Sequence, residues 1–597
     1  MSESHSTNAA NNAASHTAPA QFEVWAPKGQ QVRVTVDGEE HDMQPDAERA
    51  GWWVLDPATA APQPGQHYTF SLFDGTQWSI PMPDPRTRLQ PEGVHGPSEV
   101  VSTDFAWNDD NWSGIPTKDM VIYELHVGTF SPSGTFAGVI EKLDYLAELG
   151  VNTIELMPLQ PFAGTRNWGY DGVDWFAIHE TYGGPQGLKE LIDAAHTHGI
   201  AVLLDVVYNH FGPEGNYNDA FGPYLTDGLT AWGEVINISG PGSDEVRAYI
   251  LDTVRQWLGE FHADGLRLDA VQTYDDRLAF SIMEEIARIG DDLAADTGVP
   301  RTVIGESDQN DPRLISAPER GGYGLEGHWL DDVHHGIHSL LTGETQGYYV
   351  DYGTMEILAD TLRNGYRFRN SYSKYRARTH GRELDLSHVA PWHLVSYTTN
   401  HDQTGNRAAG DRPSQNLTPA QQVLKAAVLL HSPFTPMLFM GEEFGANTPF
   451  PFFVSHSNEQ ILEGTRQGRL HEFSRQGWDH DEVPDPGHED TYTSAKLNWT
   501  FTDEQQQVHD AYKRLIQLRR EHGCNREDLR TLQVDNGEKW LTMADGSDDG
   551  TVVLAANFSD EPVTVPVGGT LLYSFTDPQV GANETVLDPW GIAYIQR

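Results

Sequence analysis

Residues 265 to 272 read GLRLDAVQ, an apolar, strand-like run that carries Arg267 and Asp269 two positions apart. Positions i and i+2 of a strand emerge on the same face. Opposite charges side by side on such a face make either a structural ion bridge or a carboxylate held ionised for a reaction. Three other apolar runs end in polar clusters: DVVYNH at 205–210, IGES at 304–307 and TNHD at 399–402. They add Asp205, Asn209, His210, Glu306, His401 and Asp402. Taken singly, each cluster fits an ordinary loop carboxylate or a loop histidine bonded to backbone. Taken together, they offer two carboxyl groups in unlike surroundings, one beside a cation, which is the pattern that drives pKa values apart for acid–base and nucleophilic work.

The elements that must position these residues begin at Met120, where strand-like and helix-like segments alternate. VIYELHVGTF, NTIELMPLQ, IAVLLDVVYNH, GLRLDAV, TVIGESD, GLEGHWL, LVSYTTNHDQ and TPMLFMGEEFG are eight candidate strands, each followed by a helical pattern. Leu188, Leu191, Ile192 and Ala195 share one helical face, Gly150 and Gly199 stand at helix ends, and Ser243 is a candidate N-cap. Such alternation predicts parallel pairing, and eight units predict a closed (β/α)8 TIM barrel whose site lies at the C-terminal ends of the strands. The first strand–helix turn has no glycine-rich phosphate loop, which argues against a dinucleotide site.

The flanks read differently. Alternating runs such as QFEVWAP and QVRVTV predict an N-terminal β-sandwich over 21–102, with the Pro- and Gly-rich run 81–98 as its exit and a linker over 103–119. The barrel is expected over 120–524 and a C-terminal β-domain over 525–597. The stretch 444–499 is too long for a bare connector and reads as an insertion decorating the site. Residues 1–20 lack a basic start and an apolar core, so they read as a disordered tail and not a secretory signal.

Composition narrows the partners. With 87 Asp and Glu against 39 Lys and Arg, the formal net charge is −48. That charge repels nucleic acid and anionic membranes and leaves a neutral substrate unopposed. One cysteine, Cys524, permits no intramolecular disulfide and no cysteine-based metal cluster, which fits a cytoplasmic protein. No apolar run is long enough to span a bilayer. No G-x-S-x-G elbow supports a serine nucleophile.

The four clusters, in this order and on these strands, resemble the signature segments of the α-amylase family of retaining glycoside hydrolases and transglycosylases. The resemblance implies that Asp269 is the nucleophile, kept ionised by Arg267, and that Glu306 is the proton donor. Asp402 is implied to grip sugar hydroxyls, with Asn209, His210 and His401 lining the pocket. Tyr170, in NWGYDG, is implied as a ring on which a glucose stacks. Asp205 reads as structural, linking strand ends to Arg267. Asp205, Asn209 and the Asp331/Asp332 pair have oxygens that suit Ca²⁺, yet no regular loop of alternating ligands. The expectation is catalysis without metal or cofactor.

Longer strings, among them DVVYNHFGPEGNY, GESDQNDPRL, HWLDDVHHGIHSLLTGETQGYYVDY and PDPGHEDTYTSAKLNW, resemble the trehalose-releasing branch of that family over nearly all of the chain. This implies cleavage of the α-1,4 bond beside the terminal trehalose of maltooligosyltrehalose, and a pathway link to a maltooligosyltrehalose synthase. Trp329, Asp331, Asp332, His334 and His335 are candidates to shape the trehalose pocket, with Trp329 as an aromatic platform. Gly305 stands where the family usually has Ala, and Gln272 where it usually has His. The alternatives are a glycogen branching enzyme, against which WLDDVHH and PDPGHED argue, and a non-catalytic glucan-binding protein, against which the three carboxylates argue.

Overall fold

The structure is a computed structural model in which residues 22–230, 232–476, 483–546 and 550–597 are described. The tail expected over 1–20 lies outside the described residues. The chain divides into two compact units, Met1–Phe105 with Tyr217–Gly222, and Ala106–Asn216 with Pro223–Arg597.

The first unit carries two small antiparallel sheets. One is built of Glu23–Trp25, Trp52–Val54 and Gln44–Pro45; the other of Glu39–Asp42, Gln31–Val36, His67–Phe73 and Ser98–Glu99. Val32, Val34 and Val36 alternate inward along their strand and are buried, the period-two pattern expected of a half-buried strand. The Pro- and Gly-rich run 81–98 belongs to this unit: Met82 bridges Phe70, and Ser98–Glu99 pairs with His67–Phe73.

The second unit contains a closed, all-parallel barrel of eight strands. In chain order they are β1 (Ile122–Leu125), β2 (Thr153–Leu156), β3 (Ala201–Val206), β4 (Gly265–Leu268), β5 (Thr302–Glu306), β6 (Gly327–Leu330), β7 (Leu394–Tyr397) and β8 (Thr435–Phe439). They coincide with the eight expected from sequence. Each pairs with its chain neighbours, and β8 closes on β1. Strands covered on both faces have no solvent side, which is why they read as near-continuous apolar runs. Ile122, Leu203, Ile304, Trp329, Val395 and Met437 form one buried cluster in the barrel.

Register aligns the polar residues. Asp205 pairs with Arg267 across β3 and β4, Glu306 with Trp329 across β5 and β6, and Glu124 with Glu155 across β1 and β2. Helices end where glycine allows it: Gly150 takes φ 102°, the left-handed region that side chains with a Cβ avoid, after the helix Leu143–Leu149. Ser243 is not an N-cap. It is the first residue of the helix Ser243–Arg255, and Gly242 precedes it in a left-handed conformation.

Behind the barrel, the helix Pro419–His431 is buried from Gln421 through His431 and packs between the helix Asp503–His522 and the C-terminal sheet. That sheet orders Leu532–Asn536, Trp540–Asp545, Val552–Asn557, Ile592–Gln596 and Thr570–Ser574. His431 Nε2 meets the Met543 carbonyl at 3.2 Å, and the Arg363 guanidinium donates to the Val534 carbonyl at 2.7 and 2.9 Å.

Ile304 has no exposure and sits in the buried cluster. Truncating such a residue leaves a cavity, so Ile304→Ala is expected to cost about 2 to 5 kcal/mol. The expected readout is a lower urea midpoint; an unchanged midpoint would show that the barrel interior is loosely packed there.

Candidate active site

Arg267 is the hub. Its side chain is fully buried on β4 and its Nη1 donates to both oxygens of Asp205, at 2.9 and 2.8 Å, and to Asp269 Oδ1 at 2.7 Å. Its Nη2 lies 3.0 Å from Glu306 Oε2. The guanidinium carbon stands 4.3 Å above the Trp329 ring, a cation–π contact that a buried arginine favours. One cation therefore holds carboxyl groups from three consecutive strands.

Asp269 follows the end of β4, with 13% of its side chain exposed. Its Oδ2 accepts from Asn209 Nδ2 at 2.6 Å, and the same amide donates to the Asp269 carbonyl at 3.0 Å. Two donors thus fix both carboxylate oxygens. The next residue, Ala270, has φ 42° and ψ 50°, a left-handed backbone unusual for a residue with a Cβ. This turn aims the Ala270 N–H at Glu306 Oε2, 2.8 Å away.

Glu306 closes β5 with 24% of its side chain exposed. Burial pushes its carboxyl up to about 8; Arg267 opposes that rise, and the negative charges of Asp269 and Asp402 add to it. A carboxyl pushed up in this way, beside a second carboxyl on the same guanidinium, is able to act as a proton donor.

His401 and Asp402 open a short helix after β7. The His401 backbone N–H donates to Glu124 Oε2 at 3.0 Å, and His401 Nδ1 bonds Glu124 Oε1. Its Nε2 lies 3.5 Å from Asp402 Oδ1, whose side chain is 37% exposed. Burial disfavours the imidazolium, yet Asp402 and Glu124 outweigh it and raise His401 to about 9. Tyr170 stacks on His401 with ring centres 5.1 Å apart and donates to Asp205 Oδ2 at 2.6 Å. His210 Nε2 meets the Tyr170 carbonyl at 2.9 Å, and its Nδ1 bonds Asn209 Oδ1. Tyr170, Asn209, His210, Arg267, Asp269, Glu306, His401 and Asp402 thus come together in one group joined by hydrogen bonds, ion pairs and a ring stack.

The residues after β6 are arranged otherwise. Trp329 is 1% exposed and belongs to the barrel interior, so it is not an open platform; its work is to underlie Arg267. Asp332 is fully engaged by Asn310 Nδ2, the Tyr352 hydroxyl and the Arg367 N–H. His334 bridges the Thr398 carbonyl and the Tyr349 hydroxyl. His335 is buried against Tyr348, Tyr349 and Tyr352. These three pack the wall and do not face an open pocket. Asp331 alone of this group keeps partial exposure. It accepts from the Tyr397 hydroxyl and from Gln403 Nε2, the latter at 3.2 Å. Burial pushes it up to about 7; the Tyr397 hydroxyl works against that, and the nearby Asp308, Asp332 and Asp402 reinforce it.

Glu124 and Glu155, both 1% exposed, were not singled out from sequence. The signal was there: each is a charged residue inside an apolar strand, in VIYELHV and NTIELMP, as Arg267 is in GLRLDAV. A Cβ at Gly305 would stand only 2.8 Å from the Leu325 methyl, so that side chain would have to shift to admit one, and Gln272 Oε1 is buried without a partner. Among the described residues, no three His, Cys, Asp or Glu side chains converge as a metal site. No described helix is long and apolar enough to cross a membrane.

Comparison with known proteins agrees with this geometry. Residues 99–222 match the alpha amylase catalytic domain model, and residues 538–594 match a domain of unknown function, DUF3459. A malto-oligosyltrehalose trehalohydrolase from Mycobacterium tuberculosis is 45% identical over 585 residues, covering 96% of this chain and 99% of its own length. One from Rhizobium sp. is 45% identical over 574 residues, covering 94% of each. The crystal structure of a putative alpha amylase from Salmonella typhimurium superposes with a TM-score of 0.87 at 35% identity, over 96% of this chain and 97% of that one. By contrast, a 1,4-alpha-glucan branching enzyme from Corynebacterium jeikeium matches at 32% over only 42% of this chain and 37% of its own. With the carboxylate hub at the C-terminal rim of an eight-strand barrel and similarity running the length of the chain, the protein belongs to the malto-oligosyltrehalose trehalohydrolase family of α-amylase-type glycoside hydrolases.

Proposed function

We propose that the protein hydrolyses the α-1,4-glucosidic bond next to the terminal trehalose of maltooligosyltrehalose, releasing trehalose and a maltooligosaccharide. The observation that carries this reading is the pairing of Asp269 and Glu306 on adjacent nitrogens of one buried guanidinium. Retaining glycosidases need their two carboxyl groups about 5 to 5.5 Å apart, and a shared guanidinium suits that close spacing.

In the first step, Asp269 attacks the anomeric carbon as the bond from that carbon to the trehalose oxygen breaks. The Glu306 proton goes to the departing oxygen, and a glycosyl–Asp269 ester remains. In the second step, water attacks the same carbon, gives its proton to the Glu306 carboxylate, and frees Asp269. Asp402 takes hydroxyls of the distorting sugar ring, Tyr170 stacks beneath it, and Asn209 and His210 hold the nucleophile's side of the pocket. Asp331 faces the leaving-group side, where a partly exposed carboxyl suits the hydroxyls of trehalose. The substrate would come from a maltooligosyltrehalose synthase, and a single cysteine is in keeping with a cytoplasmic setting.

Incubation with maltotriosyltrehalose is expected to yield free trehalose, with little action on maltopentaose. Branched products would favour glycosyl transfer, and intact substrate would remove the reading. Replacing Asp269 by Asn is expected to lower turnover by at least about 10³-fold while sugar binding stays measurable; near-native rates would reassign the nucleophile. Glu306 works as an acid only while protonated, so kcat/KM should hold below pH about 8 and fall as pH rises through it. In Glu306→Gln that alkaline limb should vanish from the residual rate, and its persistence would place the proton elsewhere.

A further inference from the structure

Glu124 and Glu155 are register partners on adjacent strands, equally buried, yet their surroundings differ completely. Both oxygens of Glu124 are used by a single residue, His401, one on its backbone N–H and one on its ring. Both oxygens of Glu155 are buried with no hydrogen-bond partner. An ionised carboxylate without donors is far more costly to bury than a neutral carboxyl. Two carboxyls one strand apart in a low-dielectric interior also resist carrying charge together.

His401 itself touches three rings of the site. Its ring lies under Tyr170, meets the Trp168 ring edge-on with centres 5.5 Å apart, and sits 6.0 Å from Trp329 on β6. With Nδ1 committed to Glu124, Nε2 is the atom that faces Asp402. A neutral imidazole would carry only one ring proton and could not donate to both carboxylates.

We infer that Glu124 is a positioning residue: its carboxylate fixes the backbone and ring of His401 and keeps His401 an imidazolium that steadies Asp402, while its neighbour Glu155 stays neutral. This rests on reading Asp402 as the carboxylate that grips the sugar. The charged and titratable groups facing His401 are Glu124 and His126 from β1 and its end, Glu155 from β2, Tyr170 from the loop that follows, Arg267 from β4 and Asp402 beside it. The cation Arg267 works against the imidazolium, and His126, pushed down to about 4 by burial, adds no charge near neutral pH, so removing Glu124 leaves Asp402 to hold it alone.

The test uses the full chain with ¹⁵N-labelled histidine, the His401 signals being assigned by their loss in His401→Gln. In the wild type, His401 is expected to stay doubly protonated until pH about 9. In Glu124→Gln it should titrate closer to the usual histidine value of about 6.5. In Glu155→Gln, which swaps one neutral group for another, it should behave as in the wild type. Kinetically, Glu124→Gln should lose about tenfold to a hundredfold in kcat, with the loss steepest above neutral pH, and Glu155→Gln should keep the wild-type pH profile. A neutral His401 in the wild type at pH 7, a wild-type profile in Glu124→Gln, or the same shift in Glu155→Gln would each overturn the inference. The histidine spectra need no substrate, so they decide the inference even if the wild type releases no trehalose. The wild-type titration decides it if Glu124→Gln does not fold.

Discussion

Burying a guanidinium inside a barrel is tolerable only if its charge is matched and its donors are met. Arg267 matches its charge by drawing in carboxyl groups from β3, β4 and β5 and by resting on an indole face, while its Nε stays buried without a hydrogen-bond partner. The demand runs both ways. Asp205, Asp269 and Glu306 would be poorly solvated at the barrel mouth without this cation, and Arg267 could not be buried without them. Because these residues come from three consecutive parallel strands, the ion cluster also fixes how the strand ends meet. The strand register and the chemistry therefore share one structural cause.

From that hub the two key carboxyls part company. Asp269 receives two donors, from Arg267 and Asn209, and Glu306 receives a backbone N–H while sitting near two negative groups. Their difference owes little to residue type. It comes from which atoms point at each oxygen, and one of those atoms is delivered by a left-handed alanine. Backbone strain of that kind persists where surrounding structure insists on it, as at functional turns.

Much of this was legible in the sequence, for a physical reason. Parallel strands covered on both faces leave long apolar runs, and polar residues interrupt them mostly at the rim, so the eight strands and their polar ends stand out together. Residues in the middle of a strand gave a weaker signal. Glu124 and Glu155 look like ordinary polar positions until barrel closure shows that both face inward. Trp329 misled for the opposite reason: its neighbours Asp331 and Asp332 suggest a surface loop, but its register with Glu306 turns it toward the interior. Ser243 fitted a capping pattern, yet the preceding left-handed glycine already starts the helix.

The helix Pro419–His431 carries a consequence for anyone reshaping this enzyme. It is buried along nearly its whole length, with one side against another helix and the other against the C-terminal sheet. A helix covered on every side has no face to offer water, and its polar side chains are met inside, as Lys425 is by Thr398 and Glu442. The C-terminal sheet is therefore a cover for the barrel and not a detachable module. Shortening the chain at the end of the barrel would leave a sticky apolar stripe, and grafting a foreign domain there would require a matching apolar surface.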